Sequence, residues 1–283
     1  MHYRQALEHG HQLLAPHISN PDQESLWLLA WVLGDVSPSL IRSQPQTQLT
    51  QQQQIRWQQA LAQRLQGVSL AYITGEAPFL DEMVQVSPAV LVPRVETEVL
   101  VHWILSQHAN QPLCVIDVGT GSGVIALCLA KARPRWEMHA VDIDAAALAV
   151  AQANAKRLSQ THIQWHHQDG LQQLSGDIIV SNPPYIAADD PHLQHDGVCC
   201  EPRHALVSGG DGLDCIRQII AEAKQCLNSG GWLYLEHGHT QHEQVQSLLQ
   251  QAGFTDILGQ QDQAGTWRHI RGRVGGGDGV TFC

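Results

Sequence analysis

The segment Asp117-Val-Gly119-Thr-Gly121-Ser-Gly123 limits the fold of this chain more than any other. It follows the strand-like run Leu113–Val118 and opens straight into the helix-forming run Val124-Ile-Ala-Leu-Cys-Leu-Ala130. A strand-to-helix turn this rich in glycine lets a ligand come close to the backbone, because no Cβ stands in the way. The spacing argues against the commonest alternative. A dinucleotide fingerprint needs glycine at 124, and the chain has Val124.

The surrounding pattern agrees with that turn. Strand segments are expected at Leu113–Val118, Glu137–Val141, Ile163–His166, Ile178–Val180, Trp232–Glu236 and Trp267–Arg271. Helices are expected at Gly123–Lys131, Ala145–Leu158, Gly212–Leu227 and Gln241–Ala252. Strands alternating with helices imply an α/β domain, a mostly parallel sheet covered on both faces. At 283 residues and 43% hydrophobic, the chain has material for this core and for a smaller domain beside it.

Residues 1–75 read as all-helical. Asn20-Pro21-Asp22-Gln23 is a helix start in which Asn20 can cap and Gln23 can reach back, and Gly34 is the matching stop. The glutamine-rich stretch from Gln44 to Gln54 reads as a solvated loop running into a helix capped by Thr50. Trp57, Ala60, Leu61 and Leu65 are expected on one face of that helix, with Gly67 at its end. Residues 76–92 read as short strands forming a hairpin connector, followed by a helix from Glu96 to Gln107. Residues 93–274 would form the α/β domain and 275–283 a glycine-rich tail.

Composition narrows the function. The net charge of −11 disfavours a chain built to grip a phosphate backbone. No apolar run is long enough to span a bilayer, the N-terminus lacks the apolar core of a secretory signal, and a cytoplasmic protein is expected. Seven cysteines without a CxxC pair read as free thiols. No metal is expected. His237, His239 and His242 lack a companion set of cysteines or carboxylates.

Candidate site residues cluster after strands. The leading Asp117 and the G-x-G-x-G spacing resemble the first motif of Rossmann-like methyltransferases, which bind a sulfonium amino acid joined to adenosine. Gly119, Thr120, Gly121, Ser122 and Gly123 are therefore candidates for the cofactor cradle. Asp142, at the end of the second strand, is the candidate to hold a ribose diol, and Asp144 the cap of the next helix. Asp169-Gly170 after the third strand is placed to border the adenine. The fourth strand runs into Ser181-Asn182-Pro183-Pro184-Tyr185. There the Asn182 side-chain oxygen and the Pro183 carbonyl can accept the two N–H groups of an amide or amine, while Tyr185 can pack on its flat face. Asn182, Pro183 and Tyr185 are the candidate catalytic residues, and Pro184 completes the substrate turn.

Several further segments resemble the release-factor glutamine methyltransferases of the HemK type, in order and spacing. They are Pro93-Arg94-Val95-Glu96-Thr97-Glu98, Ser181–Ile186, Glu201-Pro202-Arg203, Ala205-Leu206, Gly210-Asp211-Gly212-Leu213 and Leu235-Glu236-His237-Gly238. The resemblance implies a class I methyltransferase domain behind a small helical domain. It implies S-adenosylmethionine as cofactor and, as substrate, the glutamine of a Gly-Gly-Gln tripeptide in a peptide chain release factor. It also carries Gly119–Gly123, Asp142, Gly170 and Asn182 to cofactor positions and Asn182–Tyr185 to substrate positions. The chain departs from the family at Val95, where proline is usual, at Cys199-Cys200, where an arginine and an aromatic are common, and at Asp81, where glycine is. A monomer is expected, with residues 1–75 docking on the release factor and no nucleic acid as direct substrate. Competing readings are a nucleic-acid amino-methyltransferase, a nicotinamide oxidoreductase and a release-factor-binding module without turnover.

Overall fold

A computed structural model of the chain describes residues 1–160, 162–194 and 197–275. The expected tail from 276 onward lies outside the described residues. The chain divides into two compact units, one made of Met1–Glu76 with Pro191–Cys200 and the other of Ala77–Asp190 with Glu201–Cys283.

The first unit is helical: α1 Tyr3–Leu14, α2 Pro21–Val32, α3 Pro38–Ser43, α4 Gln51–Leu65 and α5 Leu70–Thr74. Its core is built from Leu14, Leu28, Leu29, Ile41, Trp57 and Leu61. Thr50 caps α4 as expected: its hydroxyl accepts from the Gln53 N–H, and the Gln53 side chain accepts from the Thr50 N–H. Three details differ from the sequence reading. Pro21 does open α2, but the Asn20 side chain makes no cap bond and the Gln23 side chain does not reach back. Leu65 is exposed, and Arg64 is buried on the α4 face instead. Residues 57, 60, 61 and 64 follow one helical stripe, whereas 65 lies about 80° off it. Arg64 tolerates burial because its guanidinium holds Glu24 at 2.5 Å.

The two-stranded β1 Glu76–Phe79 and β2 Glu82–Gln85 lead into the rest of the second unit, which continues with α6 Val95–Gln107. The α/β body follows as β3 Cys114–Val118, α7 Val124–Ala132, β4 Glu137–Asp142, α8 Ala145–Arg157, β5 Gln164–His167, β6 Gly176–Ser181, α9 Asp214–Cys226, β7 Leu227–Glu236, α10 His242–Gln251, β8 Phe254–Gln261 and β9 Trp267–Val274. Among the described residues these strands form a seven-stranded sheet in the order β5-β4-β3-β6-β7-β9-β8. The pairs from β5 through β7 are parallel, and β9 with β8 closes one edge antiparallel. The Rossmann-like, mostly parallel sheet is thus present.

Strand β8 has no counterpart in the sequence reading. Its residues, Phe254-Thr-Asp-Ile-Leu-Gly-Gln-Gln261, lack clean alternation because it is an edge strand interrupted by register shifts against β9. Strand β7 starts earlier than expected, at Leu227. Val95 is the first residue of α6, where a proline would also fit.

Candidate active site

The chain crosses to opposite sides of β3, with β4 on one flank and β6 on the other. A crevice therefore opens beyond the carboxyl ends of these strands. A cavity of about 360 Å³ lies there, lined by the glycine turn, the residues after β4 and β5, the turn after β6, and the start of α6. That volume falls within the range of small-molecule sites.

The glycine turn is tied down on every side. The N–H groups of Gly119 and Thr120 donate to the Val141 carbonyl at 2.9 and 3.0 Å. Gly119 and Gly121 take left-handed φ of 69° and 55°, and a Cβ built on either would meet no atom within 4 Å. Gly123 has a different reason: its φ is 85° and a Cβ would press on Ala151 at 3.0 Å. Thr120 turns inward, donating its hydroxyl to Asp117 Oδ2 at 2.7 Å. Fully buried Asp117 also accepts from the Ala126 N–H, and among the described residues its Oδ1 has no partner. Burial raises its pKa to about 7 against the opposing pull of these hydrogen bonds.

Asp142 is buried at the cavity wall. Its Oδ2 accepts from the Gly121 N–H and its Oδ1 from the Asp144 N–H, both at 2.9 Å. The same carboxylate thus braces the turn and faces the cavity. Asp144 caps α8, accepting from the Ala146 N–H at 2.7 Å. Asp169 and Gly170 also line the cavity. Gly170 takes a left-handed φ of 71°, which favours glycine, and a Cβ there would also meet the Glu222 carboxylate at 2.2 Å.

Asn182, Pro183 and Pro184 line the cavity as well. The Asn182 amide nitrogen donates to Thr97 Oγ1 at 3.0 Å, and the Thr97 hydroxyl donates to Glu236 Oε2 at 2.7 Å. A threonine hydroxyl has one hydrogen. With that hydrogen on Glu236, Thr97 receives only from Asn182 Nδ2, and Asn182 Oδ1 is left as a free-standing acceptor. Tyr185 stands apart from the cavity lining. Its ring packs against the core and its hydroxyl donates to Glu236 Oε1 at 3.2 Å. Burial and the neighbouring Glu236 push its phenol up, so it stays protonated.

Sequence reasoning noted the segments holding Thr97 and Glu236 without giving those residues a role. They are 139 positions apart, and each becomes meaningful only when α6 and β7 are in place. Two contacts near the site involve segments singled out in the sequence. Arg94 holds the buried Glu201 at 2.5 Å. Ile186 bridges Val207 in parallel, and Gly212 lacks a Cβ because one would lie 2.2 Å from the Tyr185 carbonyl. Among the described residues no helix is long and apolar enough to cross a membrane.

The chain is similar to known proteins over most of its length. The family model described as the PrmC N-terminal domain covers residues 5–75, and the methyltransferase small domain covers residues 95–213. The release factor glutamine methyltransferase of Coxiella burnetii is 39% identical over 96% of this chain and 99% of its own length. That of Escherichia coli K12 is also 39% identical, over 90% of this chain and 92% of its own. Among solved structures, the Thermus thermophilus 16S rRNA methyltransferase RsmC, in complex with AdoMet and guanosine, aligns with TM-score 0.53 at 18% identity. That alignment covers 70% of this chain and 49% of that one. A methyltransferase from Pyrococcus furiosus aligns at 0.52 and 18%, covering 80% and 100%. At those identities the structural matches establish the class I methyltransferase fold.

Proposed function

This chain belongs to the release factor glutamine methyltransferase family, and from that premise we propose that it methylates the side-chain amide nitrogen of the glutamine in the Gly-Gly-Gln segment of a peptide chain release factor. Such a substrate places the reaction in the cytoplasm, on protein rather than nucleic acid. The observation that carries the reading is the Asn182–Thr97 hydrogen bond, which leaves Asn182 Oδ1 as the acceptor for an amide N–H.

The residues at the cavity suit S-adenosylmethionine. Gly119 and Gly121 leave the backbone open to close approach, Asp142 offers carboxylate oxygens to a ribose diol, and the buried unpartnered Asp117 Oδ1 underlies the turn. Gly119–Gly123, Asp142 and Asp169-Gly170 would hold this cofactor. When bound, it supplies a methyl group on a sulfonium, whose charge is lost on transfer.

The protein's part is positioning. An amide nitrogen is a weak nucleophile because its lone pair is delocalised into the carbonyl. Asn182 Oδ1 and the Pro183 carbonyl would accept its two N–H groups, raising electron density on nitrogen and aiming it. Glu236, through Thr97, keeps the Asn182 amide from turning over, and through the Tyr185 hydroxyl it anchors the far end of the same turn. The N–H proton displaced by methylation lies against one of these acceptors and passes from it to water. Preorganised acceptors of this kind need no strong base.

Labelled-methyl transfer tests the reading, with intact release factor, its Gln→Ala variant and DNA as parallel substrates. Label is expected on the intact factor alone, and label on DNA would overturn the assignment. Asn182→Ala should lower kcat by about 10²–10³, as for loss of one preorganised polar group. Asn182→Asp, which keeps an acceptor, should retain more.

A further inference from the structure

At the end of the sheet away from the crevice, a second group of reactive side chains converges. Cys114 and Glu137 are the first residues of β3 and β4 and are partners in the register, and His139 of β4 pairs with Gln164 of β5. Because strand side chains alternate, Cys114, Glu137, His139, Gln164 and His166 all project from one face. Cys114 Sγ, a Glu137 carboxylate oxygen and a His139 ring nitrogen lie within 4.8 Å of one another. Among the described residues no other such group of three potential metal ligands is found.

One of the three pairs has the spacing of two ligands on a small cation. His139 Nε2 is 3.4 Å from Glu137 Oε1. Two ligands bound tetrahedrally to zinc at about 2.0–2.1 Å stand roughly 3.3 Å apart. The outer contacts are also those of a ligand set. His139 turns its other nitrogen, Nδ1, to His166 Nε2 at 3.0 Å, with the two rings stacked 5.2 Å apart. A ligating histidine commonly has such a partner, which fixes its ring and tautomer. Gln164 Nε2 holds Glu137 Oε1 at 2.9 Å, and Cys114 Sγ donates to the Ser175 carbonyl at 3.3 Å. A thiol, an imidazole and a carboxylate together select a borderline cation such as Zn²⁺ over Mg²⁺ or Ca²⁺.

We propose that Cys114, Glu137 and His139 bind one divalent cation of the zinc class, with water in the fourth position and His166 orienting His139 from behind. Binding breaks the Cys114 S–H bond and forms a sulfur–metal bond, and the proton leaves to the buffer. The site joins the starts of two parallel strands at the face opposite the catalytic crevice and takes no part in methyl transfer.

Cobalt(II) is the probe for this site. The full chain, stripped of metal, should bind one equivalent and show an intense near-ultraviolet thiolate-to-cobalt band that equimolar Zn²⁺ abolishes. Cys114→Ser should lose the band, and His166→Gln should weaken cobalt binding ~10–100-fold, as for other outer contacts of metal ligands. A Cys199→Ser/Cys200→Ser double variant should keep the band. Alkylation of the unaltered protein followed by mass spectrometry gives a readout free of folding effects: one equivalent of Zn²⁺ should shield Cys114. Absence of the band, its survival in Cys114→Ser, or unshielded Cys114 would mean that His139 simply gives an N–H to Glu137 and that no metal binds.

Discussion

The Thr97 hydroxyl has a single hydrogen, and Glu236 takes it. That hydrogen bond fixes which end of the Asn182 amide meets Thr97, and under the proposed function it makes Thr97 a positioning residue. Thr97→Val should therefore lower kcat by ~2–13-fold, the equivalent of a typical net hydrogen bond of about 0.5–1.5 kcal/mol. Thr97→Ser should restore most of the loss, and calorimetry should find cofactor affinity unchanged in both. An equal loss in Val and Ser variants would mean that the methyl group's packing matters instead. Asp142 makes a contrasting case, because the carboxylate proposed to hold the ribose also braces the turn. Asp142→Ala removes the proposed ribose contact and also the acceptor for the Gly121 N–H. Cofactor binding should weaken by ~1.5–3 kcal/mol, the range for hydrogen bonds to a charged group, with a fall in Tm of the cofactor-free protein. Wild-type affinity would remove Asp142 from the site.

At the scale of elements, the glycine turn, β4, β6 and their following residues were legible because they are local: a strand, a turn and a helix start lie within a few residues of each other. What holds them together was not. Asn154, on α8 and fully buried, accepts from the Gln85 N–H of β2 and donates to the carbonyls of Gln85 and Ser122, clamping the hairpin to the glycine turn. Nothing in the run Ala145–Arg157 distinguishes that asparagine from a surface one. Edge strand β8 was illegible for a related reason, since its pairing with β9 rather than its own alternation makes it a strand. The buried carboxylate under the turn gives a test at this scale. Asp117 has its folded pKa raised to about 7, above the ordinary 3.8. Between about pH 4 and 7 the unfolded chain loses this proton while the folded one keeps it, so this group's contribution to stability falls as pH rises. His108 and His237, lowered to about 4 by burial, act the other way: their stability is present above pH 6.5 and lost as pH falls towards 4. A pH scan of the parent alone would blend the two. Asp117→Asn isolates one, and its Tm relative to the parent should climb steadily from pH 4 to 7. A flat difference would show that Asp117 ionises normally.

For the whole molecule, the question is how a catalyst aimed at one amide finds one glutamine. Every glutamine side chain offers the same carbonyl and NH₂, so discrimination must come from contacts away from the reacting atoms. The helical unit has its own core, separate from the core cluster that covers the α/β sheet. It therefore folds around a core of its own. That unit exposes large apolar side chains, among them Trp27 at 47% and Ile55 at 50%, which its own packing does not use. Deleting residues 1–76 would be a poor test, because Pro191–Cys200, the stretch just after the Asn182–Tyr185 turn, packs with this unit and would lose its support. Surface substitution in the full chain avoids that. A Trp27→Ala/Ile55→Ala double variant should keep its Tm within a few degrees, since neither side chain is buried. Its kcat/KM toward intact release factor should fall at least ten-fold (~1.4 kcal/mol per factor of ten), chiefly through KM. Its weaker activity on a short Gly-Gly-Gln peptide should not change, because the peptide has no body to dock. Equal losses on both substrates would place the effect in the catalytic unit. No loss on either would show that the release factor is recognised through some other face of the molecule.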